Sequence, residues 1–216
     1  MNNKRLLAVV ASACLAMLAQ PAMAAKGFNY SYAEAGYRTV DVDDESEGDG
    51  VEVNILYGAT DYFHVLFSYS RLWVDKIDGL SSVDVDLDEF KVGFGGHYPI
   101  MDKVDLVAQV AYVDEQYTGK AKLDDDGQNV NGTGPKVNIN DKEEGYEATF
   151  YARVQAMKKL EMTPHVIYRD VGPDSDTGFG LGLVYNFYKK FSLRVRGTHF
   201  SDDSATSLFL GVRLNM

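Results

Sequence analysis

The sequence predicts an all-β chain: a closed, antiparallel, up-and-down transmembrane β-barrel of about ten strands, with eight as the alternative. Three observations predict it. Apolar and polar residues alternate with period two along segments of roughly ten residues, the length a tilted strand needs to cross a bilayer. The connections between these segments alternate between brief and long. Aromatic residues gather at the segment ends, where rings with a polar tip favour the two interfaces of a membrane.

Each strand is justified by its own alternation. The first, near 28–40 ("FNYSYAEAGYRTV"), is the least clean, because Phe28, Tyr30 and Tyr32 share a parity with Glu34 and Arg38, so its facing stays open. Val51, Val53, Ile55 and Tyr57 then alternate with Glu52, Asn54 and Leu56, and Phe63, Val65, Phe67, Tyr69 and Trp73 with His64, Leu66, Ser68 and Ser70. Phe90, Val92, Phe94 and Tyr98 oppose Lys91, Gly93 and His97, and Leu106, Ala108, Val110 and Tyr112 oppose Asp105, Gln109, Ala111 and Glu115.

The stretch Tyr146–Asp170 holds two strands about a turn at Met157-Lys158-Lys159. One parity reads Tyr146, Ala148, Phe150, Ala152, Val154, then Leu160, Met162, Val166, Tyr168; the other carries Glu147, Arg153, Glu161, Thr163, His165 and Arg169. Phe179 to Phe187, Phe191 to Val195 and Leu208 to Leu214 complete the set, with Arg194, Arg196 and Arg213 on the polar side. Two local departures are expected. Pro164 has no N–H to give a ladder and predicts a bulge or kink. Asp84 to Asp88 run out of phase with Phe90 onward and predict a bulge or an extension above the bilayer.

The brief connections fall at about 60–62, 99–103, 157–159 and 188–190, and the longer ones at about 41–50, 75–87, 118–143, 171–177 and 201–204. Windows around the longer set hold 25 of the 32 Asp and Glu, whereas the brief turns carry Lys103, Lys158, Lys159, Lys189 and Lys190. Tyr57, Tyr62, Phe63, Tyr98, Tyr185 and Tyr188 form one aromatic rim; Trp73, Tyr112, Tyr117, Tyr146 and Tyr168 form the other. Short periplasmic turns opposite long acidic extracellular loops are the expectation, with the apolar parity toward lipid and both termini in the periplasm.

The N-terminus agrees. Lys4 and Arg5 precede the apolar run Leu6–Ala19, and Ala22-x-Ala24 supplies a cleavage pattern, so residues 1–24 are expected to be a secretory signal peptide and 25–216 one barrel domain. Cys14 is the only cysteine and leaves with the signal, which excludes a disulfide framework, Cys-ligated metal and a cysteine nucleophile from the mature chain. The net charge of −11 becomes −13 without Lys4 and Arg5, a balance unsuited to nucleic acid. No segment approaches a spanning helix, so a membrane span must be built from strands that close. A secreted sandwich or lipocalin-like barrel explains the alternation equally well, but neither the short/long rhythm nor two aromatic bands.

The inward parity supplies the candidate lumen-lining residues: Glu52, Lys91, Asp105, Glu147 and Arg153, then Glu161, Arg169, Arg194, Arg196 and Arg213. Both signs are present. A salt-bridged plug that rigidifies the barrel is one reading, because about eight strands are just filled by side chains and open channels appear at about 16–18. A narrow anion path along Arg153, Arg194, Arg196 and Arg213 is the other. "DVDDESEGDGVE" (Asp41–Glu52) has Ser46 where a calcium loop needs glycine, and "DDDG" (Asp124–Gly127) lacks an opening acid. His64, His97 and His165 are scattered along the chain, so neither metal nor other cofactor is expected.

With the strand pattern, the acidic loops and the amphipathic last strand "SLFLGVRLNM" in view, residues 25–216 resemble the small outer-membrane β-barrel proteins of Gram-negative bacteria, the OmpA/OmpX-type and porin-like superfamily. That family usually ends in an aromatic residue, and Met216 stands there instead. The resemblance implies an outer-membrane location, contact with outer-membrane lipid and lipopolysaccharide, and a structural or narrow porin-like role as a monomer, not an enzyme. Surface adhesion or recognition through the acidic loops is one alternative. Another is an enzyme acting on lipid A, because His199 and Ser201 in "THFSDD" resemble the His-x-Ser-Asn element of outer-membrane lipid A deacylases, with Asp202 in place of the asparagine. Asp84, Asp86 and His199 invite comparison with the ten-stranded outer-membrane aspartyl proteases, which are considerably longer.

Overall fold

The computed structural model describes residues 28–42, 46–77, 80–123, 136–202 and 204–216. The predicted signal peptide and the Asp124–Gly127 motif lie outside the described residues. Ten strands follow one another: β1 (Tyr32–Val42), β2 (Ser46–Gly58), β3 (Phe63–Ile77), β4 (Leu80–Met101), β5 (Val104–Leu123), β6 (Lys136–Met157), β7 (Leu160–Val171), β8 (Asp174–Asn186), β9 (Phe191–Phe200) and β10 (Ala205–Asn215). Each pairs antiparallel with the next, and β1 meets β10 from Tyr32↔Asn215 to Val42↔Ala205, which closes the barrel. Closure leaves no unpaired strand edge around the body of the barrel, the condition for a sheet surrounded by lipid.

Through the body of the barrel the alternation sorts as expected. Val53, Ile55, Phe94, Leu181, Leu208 and Val212 are exposed on the outer wall, while Glu52, Asp105, Glu161 and Arg213 are buried inside. The first strand, left open by its sequence, turns Glu34 and Arg38 inward with its aromatics: Glu34 and Tyr30 are buried, and Tyr32 lies under Arg213. Tyr30 belongs to the lead-in segment, since β1 starts at Tyr32 and not near residue 28.

The far end of the barrel differs most from expectation. β4 and β6 each run 22 residues and β5 runs 20, about twice what crossing a bilayer requires. Among the described residues, the predicted loops near 75–87 and 118–143 are strand. So is 41–50, and the connection predicted at 171–177 is the two-residue turn Gly172-Pro173. The register of β4 against both neighbours is unbroken from Val85 to Phe94, so Asp84–Asp88 are an extension and not a bulge.

Pairing continues there because the pattern inverts. Val85, Leu72 and Val113 are buried inside, and Asp84, Asp86 and Asp88 take the outer parity. Tyr117, expected in the outer aromatic rim, points inward instead and donates to Glu115 Oε2 at 3.3 Å.

Pro164 makes no bulge either. The β6–β7 register is the same on both sides of it, Tyr151↔His165 and Val154↔Met162, and only the two pairs between them are missing. Toward β8 pairing is continuous through Pro164↔Leu181. The missing N–H thus costs a gap in one ladder and leaves the register intact. At Gly172, φ is +67°, a conformation that side-chain-bearing residues adopt only with strain, and a Cβ there would meet the Glu143 carboxylate.

Candidate functional site

The lumen holds the charged residues in three tiers. At the short-turn end, residues 28–31 fold in beneath the barrel. Arg153 donates to both oxygens of Glu161 at 2.6 and 2.8 Å and to the Asn29 carbonyl at 2.8 Å. Its guanidinium lies over the rings of Phe28 and Tyr30, 4.7 and 4.6 Å from their centroids. Tyr30 donates to Asp105 Oδ2 at 2.9 Å and stacks on His97, with His64 alongside. The histidines scattered in sequence are therefore partly reunited, because β3 and β4 are neighbours; among the described residues no group of three metal-ligating side chains forms.

The middle tier crosses the β1–β10 seam. Arg213 donates to Glu34 Oε1 at 2.6 Å, with Arg194 3.6 Å from the same oxygen. Arg196 donates to both Glu52 oxygens at 2.7 and 2.9 Å and lies over Phe209. Room for Arg194 comes from Gly182 on β8, where a Cβ would stand 3.1 Å from the guanidinium.

The upper tier is a chain of shared charges. Lys91 bonds Glu147 at 2.5 Å and lies 3.5 Å from Glu89. Arg38 and Arg169 reach Glu89 at 3.2 and 2.8 Å, and Arg169 also binds Glu115.

Of the ten residues singled out by sequence, all but Asp105 border one central cavity of about 160 Å³. Asp105 lies against Tyr30. Four partners escaped sequence reasoning. Glu34 and Arg38 were obscured by the aromatics on their parity and Glu89 by the phase change, while Glu115, read on the polar parity of its strand, stood outside the lumen set. Seven cations (Arg38, Lys91, Arg153, Arg169, Arg194, Arg196, Arg213) are met by Glu34, Glu52, Glu89, Glu115, Glu147 and Glu161, with Asp105 as a seventh carboxylate. The chemistry is that of mutual neutralisation: buried charges persist when each is paired and hydrogen-bonded. Thr163 Oγ1 and Arg194 Nε make no hydrogen bond and both residues border the cavity, which makes it polar as well as small.

Outside the lumen, His199 Nδ1 lies 3.1 Å from Thr206 Oγ1, while Ser201 Oγ donates to the Thr177 carbonyl at 2.8 Å. The two do not form the base–nucleophile hydrogen bond that acyl transfer uses. Asp84 and Asp86 stand on β4 and His199 on β9, five strands apart in either direction around the barrel, so they do not converge.

The chain belongs to the outer membrane protein beta-barrel domain family, whose model matches residues 10–215, and it is a protein of the outer membrane. No curated protein matches it in sequence. Among solved structures it is similar to Ail, the attachment invasion locus protein of Yersinia pestis, at 13% identity over 87% of this chain and 100% of that one, with a TM-score of 0.43. It is also similar to the KdgM porin, at 14% identity over 85% and 99%, with a TM-score of 0.43. The beta domain of the Bordetella autotransporter BrkA aligns at 9% identity over 86% and 99%, with a TM-score of 0.50. Similarity at these identities is similarity of fold.

Proposed function

We propose that this protein is a structural barrel of the outer membrane whose lumen is closed by its own ion pairs, so that any porin-like conduction is narrow. The observation that carries this reading is the charge balance: seven inward cations interlock with six glutamates, most of them around a cavity of about 160 Å³, well under the ~300–1,000 Å³ of a small-molecule site. An anion-selective path needs uncompensated positive charge, and Arg153, Arg196 and Arg213 each hold a carboxylate within 2.6–2.7 Å.

The lysine-bearing short turns and both chain ends are assigned to the periplasm, and the long acidic hairpins to the cell surface. Contact with lipid and lipopolysaccharide is assigned to the outer wall at the base of those hairpins. Tyrosine hydroxyls there donate to carboxylates, as Tyr69 does to Asp88 and Tyr146 to Asp170, at 2.5 and 2.9 Å. Rings of this kind sit with the apolar body in the membrane and the polar tip at its surface. The barrel acts as a single copy, and no catalytic step is assigned to it.

Single-channel recording from refolded residues 25–216 in a planar bilayer tests the reading. Silence from folded, inserted protein is the expected result. Reproducible current steps whose ion selectivity shifts in the Arg194→Ala/Arg196→Ala double variant would establish the narrow anion pore instead.

A further inference from the structure

Above the upper ion-pair tier the barrel opens into a second chamber, of about 400 Å³, that the scaffold role does not use. Its walls are inward residues at the upper strand ends: Val40 and Val42 of β1, Leu72 of β3, Leu87 of β4, Val171 of β7 and Phe200 of β9. Its floor is the Arg38–Glu89–Arg169–Glu115 chain, which separates it from the central cavity. Apolar area left facing water forgoes the gain of burying it. Yet here valine, leucine and phenylalanine converge around open space, at a volume within the ~300–1,000 Å³ range of ligand pockets.

Charge narrows what such a chamber accepts. Four carboxylates line it, Glu89, Glu115, Glu143 and Asp176, against the guanidiniums of Arg38 and Arg169. Both guanidiniums are already engaged by Glu89, and Arg169 by Glu115 as well. Glu143 and Asp176 stand higher on the wall. Asp176 accepts the backbone N–H groups of Thr177 and Asp202 at 2.5 and 3.0 Å. Glu143 reaches toward Gly172, in the turn between β7 and β8. A confined cleft with surplus negative charge and low-dielectric walls concentrates cations and repels anions.

We infer that this chamber binds a small cationic amphiphile: an ammonium or guanidinium group carried on a short alkyl or aryl body. The apolar body packs among Val40, Leu72, Leu87 and Phe200, and the cation meets Glu143 and Asp176. The ion-pair floor keeps the ligand from passing through, so the chamber is a receptor-like cup and not a segment of a channel. Binding in the cup does not require the lumen to conduct.

The test is titration of n-hexylammonium into the refolded barrel in lipid nanodiscs, followed by methyl NMR of its valines and leucines. Hexanoate and hexanol are the comparison probes. Saturable shifts are expected at Val40, Leu72, Leu87 and Val171, with outward Leu208, Leu210 and Val212 responding only as they do to hexanol. Hexanoate is expected to bind about tenfold or more weaker. Glu143→Gln should weaken hexylammonium several-fold, and Leu72→Trp, which fills the chamber, should abolish the saturable shifts. Should Leu72→Trp fail to fold, Glu143→Gln remains decisive, because that carboxylate anchors no ion pair of the floor. Shifts that grow linearly and equally on the outward methyls would mean partition into lipid and overturn the site. Equal affinity for hexanoate, or an unchanged titration in Glu143→Gln, would overturn the charge assignment.

Discussion

The body of the barrel and the extension that β4, β5 and β6 carry above it have opposite patterns. In the body, Leu210 and Val212 face out while Arg213 and Glu34 pair inside at 2.6 Å. In the extension, Asp84, Asp86 and Asp88 take the outer parity while Val85 and Val113 are buried within. β4 runs through the boundary without a break, and no register changes along it between Val85 and Phe94. The difference teaches that period-two alternation reports a two-sided sheet, and the solvent outside decides which side carries the charge. Lipid outside forces polar groups inward; water outside restores the ordinary arrangement of a soluble barrel.

The largest effect should come from breaking the body's interior. Arg153→Ala leaves Glu161 buried without its partner and should cost about 3–5 kcal/mol, read as the shift in urea unfolding of the refolded barrel. Replacing both, as Arg153→Met with Glu161→Leu, should recover most of that loss, because the penalty belongs to the orphaned charge.

The walls come next. Leu210→Arg puts a cation in lipid and should cost ~2–4 kcal/mol. Asp86→Leu, on the same outward side but beyond the boundary, should stay within ~0.5 kcal/mol. Equal costs for these two would dissolve the distinction between body and extension.

A smaller loss, about 1–2 kcal/mol, is expected for Gly172→Ala, which forces a side chain into the left-handed region. Smallest is Lys142→Ala on the outer face of β6, where the ammonium meets Asp114 and Glu144 at 2.8 and 2.7 Å but is 54% exposed. It should cost little, and that small cost should vanish in 1 M salt. The Arg153–Glu161 pair, only 5% exposed at each side chain, should keep its contribution at the same salt concentration.

The body was legible from sequence because lipid imposes a strict alternation over segments of bilayer length. Val51 to Tyr57 and Leu208 to Leu214 could hardly be read otherwise. The extension was not, because its acids resemble a solvated loop until their inward neighbours are noticed: Val85 and Leu87 between Asp84, Asp86 and Asp88 are themselves a period-two strand.

The first strand failed for a different reason. Tyr30 and Tyr32 share the side of Glu34 and Arg38, which looks contradictory if aromatics are taken as lipid-facing. The resolution is that rings also cover guanidiniums. Arg153 lies over Phe28 and Tyr30, and Arg213 lies 3.9 Å from the centroid of Tyr32. Cation–π partners inside a polar lumen leave no trace in hydropathy. The upper chamber was equally hidden, since it depends on which residues of all ten strands meet.

The seam between β1 and β10 sets the order in which this molecule can be made. Neighbouring strands join residues close in the chain, whereas Glu34 and Arg213 are 179 positions apart, and Arg38 and Ser207 are 169. Hairpins therefore form early and the seam last, since long-range closure carries the greater entropic cost. Until the seam shuts, Arg213 lacks the carboxylate that neutralises it, and an open sheet would carry that charge toward the membrane interior. Shutting the ring and discharging its walls are consequently one event, which makes the last step of assembly all-or-none.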